Sequence, residues 1–384
     1  MRTSERWDIF CRVVDNFGDA AVCWRLAREL AHEQGARVRL WIDDLESLIR
    51  LEPQAVLLEQ QMLLGVEVNR WGIHLPAEVV PADFVIDAFG CGLPEQYVQG
   101  MAGCARSPIW VVLEYLTAES WVADYHALPS PHPRLPLARY FFFPGFVEGT
   151  GGLLREQNLF ARRDAFSAHQ RDAFWRSLGH APPLPGVMTV SLFAYDAAPL
   201  SELLRCWENG PVNVLAVIPY NALTAVALKH FGQGSIPGGG ILRRGALEVR
   251  FIPFLAQTQY DELLWSCDYN FVRGEDSFVR AQWAGQPFVW HAYRQPEDAH
   301  SHKLDAFLEL YGAALPAAAR TTVSDIMHFW NQRERSAVSP RRAWDAFVAQ
   351  RDDVQRHTRL WAEHVAGIGS LVANLASFCR DKLK

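Results

Sequence analysis

Two short polar stretches carry the side chains best suited to chemistry in this chain of 384 residues: Asp15-Asn16-Phe17-Gly18-Asp19 and, far downstream, Arg273-Gly274-Glu275-Asp276-Ser277. Each follows an apolar run that reads as a β-strand and precedes one with helical spacing. Such a turn places its residues at the carboxyl end of a strand and at a helix N-terminus, where acid–base groups and anion-binding backbone gather. In the first stretch two carboxylates bracket Phe17 and Gly18, a pair suited to positioning a cationic group and taking a proton. The plainer reading is that Asp19 opens the helix as a cap or first-turn residue while Asp15 makes an Asx turn. In the second stretch the N–H groups of the helix start, the Ser277 hydroxyl and the Arg273 guanidinium suit a diphosphate. Glu275 and Asp276 are wrong for a bare phosphate cradle but right for sugar hydroxyls, and a nucleotide-sugar reconciles both halves. The alternative is that the two acids only complement the helix dipole.

Aromatic residues form a third group at strand ends. Phe193 and Tyr195 follow one strand and Phe254 another, Gln257 and Tyr260 stand just beyond, and Tyr293 ends the last strand. Rings at several strand ends can supply a stacking platform for a base, with Gln257 to bond its edge. Other chemistries lack their residues. There is no GxGxxG, and Ala20 and Ala21 stand where a phosphate-cradling turn would carry glycine. The stretch GQGSIPGGG (232–240) lacks the spacing and lysine of a P-loop and reads as a loop. The 13 histidines, His291, His300 and His302 among them, show no metal-ligand spacing, and no DxD pair follows an apolar strand. Neither a GxSxG elbow nor a paired Cys/His arrangement is present, and Asp43-Asp44 read as helix-start residues. The expectation is a site without metal or cofactor.

The elements that must position these residues come in two series. Residues 7–14, 37–43, 83–89, 109–116 and 138–145 read as strands, with a helix over 20–35. Residues 187–195, 212–220, 247–254, 268–274 and 288–293 read as a second series, each of the first four followed by a helical pattern. Short continuous apolar runs alternating with helices predict parallel strands covered on both faces. The fold class is therefore α/β, as two Rossmann-like doubly wound domains facing each other across a cleft. The expected division is 1–155, a linker at 156–186 and a second domain at 187–362, with everything from about 300 helical. A last helix around 357–379 is expected to pack back on the first domain, which then reclaims about 363–384.

Composition limits the partners. The chain is 49% hydrophobic and 21% charged, with a formal net charge of −6 and a pI near 6.1, enough apolar material for sizeable cores. An acidic balance argues against a nucleic-acid sheath and mildly favours a cationic partner. Seven cysteines at long spacings, without CxxC, predict neither a disulfide framework nor a zinc site. No apolar run approaches a membrane span, and the N-terminus lacks the apolar core of a signal peptide. The expectation is a cytoplasmic protein that contacts neither membrane nor nucleic acid.

The stretches WDIFCRVVDNFGDAAVCWRLARELA, LEYLTAESW and, above all, VRGEDSFVRAQWAGQPFVWHAY resemble the EarP family, bacterial protein-arginine rhamnosyltransferases acting on translation elongation factor P. The resemblance runs through both halves in order and is weak over 45–80 and 310–384. It implies a GT-B glycosyltransferase fold and inverting transfer of rhamnose from dTDP-β-L-rhamnose to one arginine of elongation factor P. It places the family's acidic pair at Asp15 and Asp19, with Asp19 matching the general base; the chemistry of a protonated arginine then calls for an orienting catalytic partner, Asp15 or Glu275. It places donor-binding roles at Phe193, Tyr195, Phe254, Gln257, Arg273, Glu275, Asp276, Ser277 and Tyr293. The family loop usually reads Gly-Asp-Ile-Gly, whereas this chain has Gly18-Asp19-Ala20-Ala21. Two other readings fit the same residues: a GT-B transferase with a different acceptor, and a non-catalytic binder of elongation factor P. A nicotinamide-dependent oxidoreductase fits less well, for want of the glycine fingerprint.

Overall fold

A computed structural model describes residues 5–383 except 16, 73–74, 76–78, 296–297 and 333–337. Asn16 of the first polar stretch lies outside the described residues. The chain divides into two compact units, Met1–Gln157 with His364–Lys384, and Asn158–Glu363.

The first unit begins β1 (Arg6–Cys11), α1 (Gly18–Glu33), β2 (Arg37–Ile42), α2 (Leu45–Leu51), β3 (Gln60–Leu63) and β4 (Val66–Arg70). It continues β5 (Phe84–Ala88), α3 (Glu95–Ala102), β6 (Ile109–Leu113), α4 (Val122–Tyr125), β7 (Pro129–Pro131) and β8 (Ala138–Phe142). The strands form one sheet in the order β3-β4-β2-β1-β5-β6-β8-β7. The six inner strands pair in parallel, and β3 and β7 are antiparallel edges. Succession runs outward in both directions from β1 and β5, so the switch point of this doubly wound sheet lies between them. A crevice at the carboxyl ends of strands opens at such a point.

The first strand is shorter than its apolar run. Pairing with β2 stops at Cys11↔Ile42, and the backbone N–H of Val13 donates instead to Asp43 Oδ1 at 2.9 Å. Once a side chain has taken that N–H, the ladder has nothing to continue with. The hairpin β3–β4 has no counterpart in the sequence reading. Its two-residue turn, Leu64-Gly65, holds φ at +46° and +78°, and a leucine there gives no turn signal. The core on one face of the sheet gathers Phe10, Trp41, Trp71, Val85, Tyr97, Met101 and Trp110. Buried Asp8 is held there by Arg39 Nε and Nη2, at 2.6 and 2.7 Å, and by the Tyr97 hydroxyl.

The second unit opens with α5 (Leu159–Asp164) and α6 (Ala168–Ser177), the charged helical stretch of the sequence. Phe174 and Trp175 of α6 pack against Leu215, Val217, Ile252 and Leu263. It continues β9 (Met188–Leu192), α7 (Leu200–Glu208), β10 (Val214–Pro219), α8 (Ala222–His230), β11 (Ile241–Arg244) and β12 (Leu247–Ile252). Then come α9 (Gln257–Ser266), β13 (Tyr269–Arg273), α10 (Asp276–Ala284), β14 (Phe288–His291), α11 (Ala299–Gly312), α12 (Ala317–Trp330) and α13 (Pro340–Ala349). The sheet order is β11-β12-β10-β9-β13-β14, parallel except for the edge strand β11. Its switch point lies between β9 and β13.

The terminal helix of the sequence reading is two helices. α14 (Arg351–Gly367) carries the chain back into the first unit, and α15 (Leu371–Leu383) starts after a break. Gly369 makes the break with φ +102°, where an added Cβ would lie 2.8 Å from Asn374 Oδ1. Within the first unit α15 lies against α1 and β6, and Arg380 grips Glu5 through Nε and Nη2 at 2.8 and 2.9 Å. No helix among the described residues is long and apolar enough to cross a membrane. All seven cysteines are free thiols.

Candidate active site

The acidic stretch occupies the switch point of the first sheet, between the end of β1 and the start of α1. Asp19 is only 2% exposed and lies in the first turn of α1, whose N-cap is Phe17. Its Oδ2 accepts the backbone N–H of Val14 at 2.8 Å and of Asp15 at 2.9 Å. The carboxylate thus folds the loop back onto the helix start and is itself held by it. Gly18 donates its N–H to the Asp15 carbonyl at 2.7 Å. A Cβ on Gly18 would stand 2.8 Å from Asp15 Oδ2, so the half-buried Asp15 side chain sits where only glycine leaves room. Arg50 lies over the Phe17 ring, 5.4 Å from its centroid. Ala21 is an ordinary buried helical residue, its N–H on the Phe17 carbonyl at 2.8 Å.

The second polar stretch occupies the switch point of the other sheet, at the end of β13. Gly274 turns the chain with φ +57°. Glu275 is the N-cap of α10 and Asp276 its first residue, so the N–H groups of the first turn have no partner within the helix. Ser277 accepts the Arg273 N–H on Oγ at 2.9 Å and returns its hydroxyl proton to the Arg273 carbonyl. In this structure that hydroxyl closes its own loop rather than offering a proton outward.

The aromatic group converges on the same point. The Arg273 guanidinium lies 4.6 Å from the ring centroids of both Phe193 and Tyr195, at the adjacent end of β9. Two aromatic rings there attract the cation. Phe193 meets Phe254 and Tyr260 edge-on, with centroids 6.2 and 5.8 Å apart, and Tyr195 meets Tyr293 at 5.4 Å. Gln257 is buried at the first position of α9, and Tyr293 is exposed. Thus Phe193, Tyr195, Phe254 and Tyr293 form one linked cluster with Arg273. Glu275, Asp276 and Ser277 stand on the helix start beside it, and Gln257 heads the neighbouring helix.

Three supporting groups were absent from the candidate residues. Arg280 of α10 pairs with Asp261 of α9 through Nε and Nη2 at 2.7 and 2.6 Å, both side chains buried, fixing the start of α10 relative to α9. His291 accepts the Tyr195 backbone N–H on Nδ1 at 3.3 Å, and burial together with Arg294 and Arg273 depresses its pKa to about 3. Asp43, read as a helix-start residue, instead pins Val13, while Asp44 is the cap of α2. The carboxylate pairing i, i+19 and the strand-end histidine are features a single sequence does not distinguish from ordinary core. Among the described residues no three His, Cys, Asp or Glu side chains form a metal-ligand group.

Comparisons with known proteins bear on this geometry. The family model described as "Elongation-Factor P (EF-P) rhamnosyltransferase EarP" matches residues 7–380. A protein-arginine rhamnosyltransferase from Pseudomonas putida is 45% identical over 381 residues, 98% of this chain and 99% of the relative. A solved structure described as "Structural basis for EarP-mediated arginine glycosylation of translation elongation factor EF-P" aligns with TM-score 0.70 and 34% identity, covering 98% of this chain and 99% of that one. The calicheamicin glycosyltransferase CalG4 aligns with TM-score 0.51 at 15% identity over 98% of each chain, a likeness of fold alone. Two doubly wound units of this topology are the GT-B architecture. By sequence and by fold, this chain is a glycosyltransferase and belongs to the EarP family.

Proposed function

We propose that the chain transfers L-rhamnose from dTDP-β-L-rhamnose to the guanidinium of one arginine of translation elongation factor P, in a single inverting displacement without a metal. The reading rests on one observation: each sheet presents a different half of the required chemistry at its own switch point. The first presents Asp15 and Asp19, suited to a cationic acceptor. The second presents Arg273, the start of α10 and the aromatic cluster, suited to a nucleoside diphosphate. In this account the first unit binds the acceptor and the second binds the donor. With a translation factor as acceptor, the reaction belongs in the cytoplasm.

An arginine guanidinium has a pKa above ~12 and delocalised lone pairs, so it reaches the site protonated and poorly nucleophilic. Asp15 or Glu275 would hold it by charge-assisted hydrogen bonds, desymmetrising its π system. As a guanidinium nitrogen attacks the anomeric carbon, a C–N bond forms and the C–O bond to the diphosphate breaks. The nitrogen's proton passes to Asp19, which the Val14 and Asp15 N–H groups hold in place. The departing dTDP takes the electron pair and is stabilised by Arg273 and the helix start. Phe193, Tyr195, Phe254 and Tyr293 would stack the base and wall the sugar, Gln257 would bond the base edge, and Asp276 the sugar or ribose hydroxyls. Attack opposite the leaving group inverts the β donor to an α-linked product.

The test follows dTDP release and product stereochemistry. With dTDP-β-L-rhamnose, elongation factor P and EDTA present, dTDP should appear and NMR of the product should show an α-rhamnosyl linkage. Replacing the acceptor arginine by lysine should stop the release. Release that persists with the lysine protein means another acceptor, and complex formation without release means a binder only. A retained β linkage would rule out the single displacement.

A further inference from the structure

We propose that His291 is a positioning residue of the donor site: its neutral imidazole fixes Tyr195, and through it the seat of the Arg273 guanidinium. The inference rests on the donor-site reading above. His291 is the last residue of β14 and is 2% exposed. It touches both loops of the second unit's switch point. Its Nδ1 accepts the Tyr195 N–H at 3.3 Å, and its ring meets the Tyr195 ring edge-on at 5.4 Å. Its carbonyl accepts the Gly274 N–H at 3.2 Å, next to Arg273. The strand end is itself pinned on both sides. Asn331 of the segment after α12 donates to the Trp290 carbonyl at 2.7 Å and accepts the Ala292 N–H at 2.9 Å. The Trp290 indole donates to the Gly274 carbonyl at 2.8 Å.

A histidine that accepts on Nδ1 carries its proton on Nε2 and cannot be imidazolium. The surroundings agree, since burial, Arg294 and Arg273 all oppose a positive charge and lower the pKa to about 3. A protonated ring would lose the Tyr195 bond and repel the guanidinium that Tyr195 seats. Asparagine carries an acceptor oxygen near the place of Nδ1 but lacks the ring. Phenylalanine keeps a ring of similar size against Tyr195 and Trp330 but has no acceptor. The two variants separate hydrogen bonding from packing.

The experiment measures dTDP affinity by calorimetry, and steady-state kinetics with the donor varied, for wild type, His291→Asn and His291→Phe. Loss of the acceptor leaves a backbone N–H unpaired, which should raise Kd for dTDP and the donor KM roughly 10- to 100-fold in His291→Phe, with kcat nearly unchanged. His291→Asn should keep both close to wild type. The inference is overturned if His291→Phe binds dTDP as wild type does, if both variants lose affinity equally, or if the loss falls on kcat. Should wild type itself not bind dTDP, the donor-site reading fails, and this inference with it. A measurement independent of any variant's folding is nitrogen NMR of histidine-labelled wild type. His291 should show the neutral Nε2–H tautomer down to about pH 5. An imidazolium there at neutral pH overturns the inference.

Discussion

The bonds of Asp19 separate its two proposed duties in a way a pair of substitutions can read. Oδ2 accepts two backbone N–H groups, from Val14 and Asp15, and the side chain is buried. In Asp19→Asn the amide oxygen can still accept both, so the loop keeps its shape while the proton acceptor is gone. In Asp19→Ala both N–H groups lose their partner. Hydrogen bonds to a charged group contribute ~1.5–3 kcal/mol each, and Val14 borders solvent that can partly replace its bond, so the alanine variant should lose ~2–4 kcal/mol. For a unit of this size that is a fall in Tm of roughly 5–15 °C. The asparagine variant should lose about 1 kcal/mol or less. Turnover should fall by ~10²–10⁴ in both, the usual contribution of a general base. Affinity for dTDP should hold in both, because the groups assigned to it belong to the second unit. Differential scanning calorimetry, dTDP titration and single-turnover kinetics give the three readings. Wild-type turnover by Asp19→Asn would remove Asp19 from the base role. Equal destabilisation by the two variants would remove the loop-folding role.

Arg273→Ala should weaken dTDP binding ~10–100-fold, the loss of a charge-assisted contact, and calorimetry showing unchanged affinity would refute that assignment. Arg280→Met leaves the Asp261 carboxylate buried without its partner, so stability should drop by ~3–5 kcal/mol and the donor KM should rise as α10 loosens. Urea unfolding and donor kinetics check the two parts. A pH effect follows from His291, whose folded pKa of about 3 lies below its ordinary value of 6.5. The unfolded chain binds the proton first, so this contribution is fully present above pH ~6.5 and is lost as pH falls toward 3, by up to ~1.4 kcal/mol per pH unit. His357, lowered by burial, acts with the same sign. Urea midpoints of the wild type should fall over that range, and less steeply in His291→Phe.

The parts of the fold legible in the sequence were those carried by local pattern. The apolar runs before Asp15 and before Arg273 marked strands, and the helical spacing after each marked α1 and α10. Both polar stretches lie at strand-to-helix turns, as their flanks predict. What was not legible depends on strand order. β9 and β13 are neighbours although three strands intervene in the chain, and only that adjacency brings Phe193 and Tyr195 to Arg273. His291 reads in sequence as one more strand residue, because its role is a bond to a backbone N–H in another strand's loop. The bonds of the Ser277 hydroxyl with the Arg273 backbone depend on how the turn at Gly274 is folded, which residue type alone does not reveal. β1 ends early at Cys11 because Asp43, just after β2, and Asp19 of α1 capture the N–H groups of Val13 and Val14. The break at Gly369 was hidden by apolar periodicity continuing on either side of it.

The most direct test of the central claim is the intact mass of elongation factor P after incubation with this protein and dTDP-β-L-rhamnose. The account predicts a gain of one deoxyhexose, on one arginine, that disappears when either the donor or the protein is left out. An unchanged mass with active, folded protein and intact donor present would contradict it.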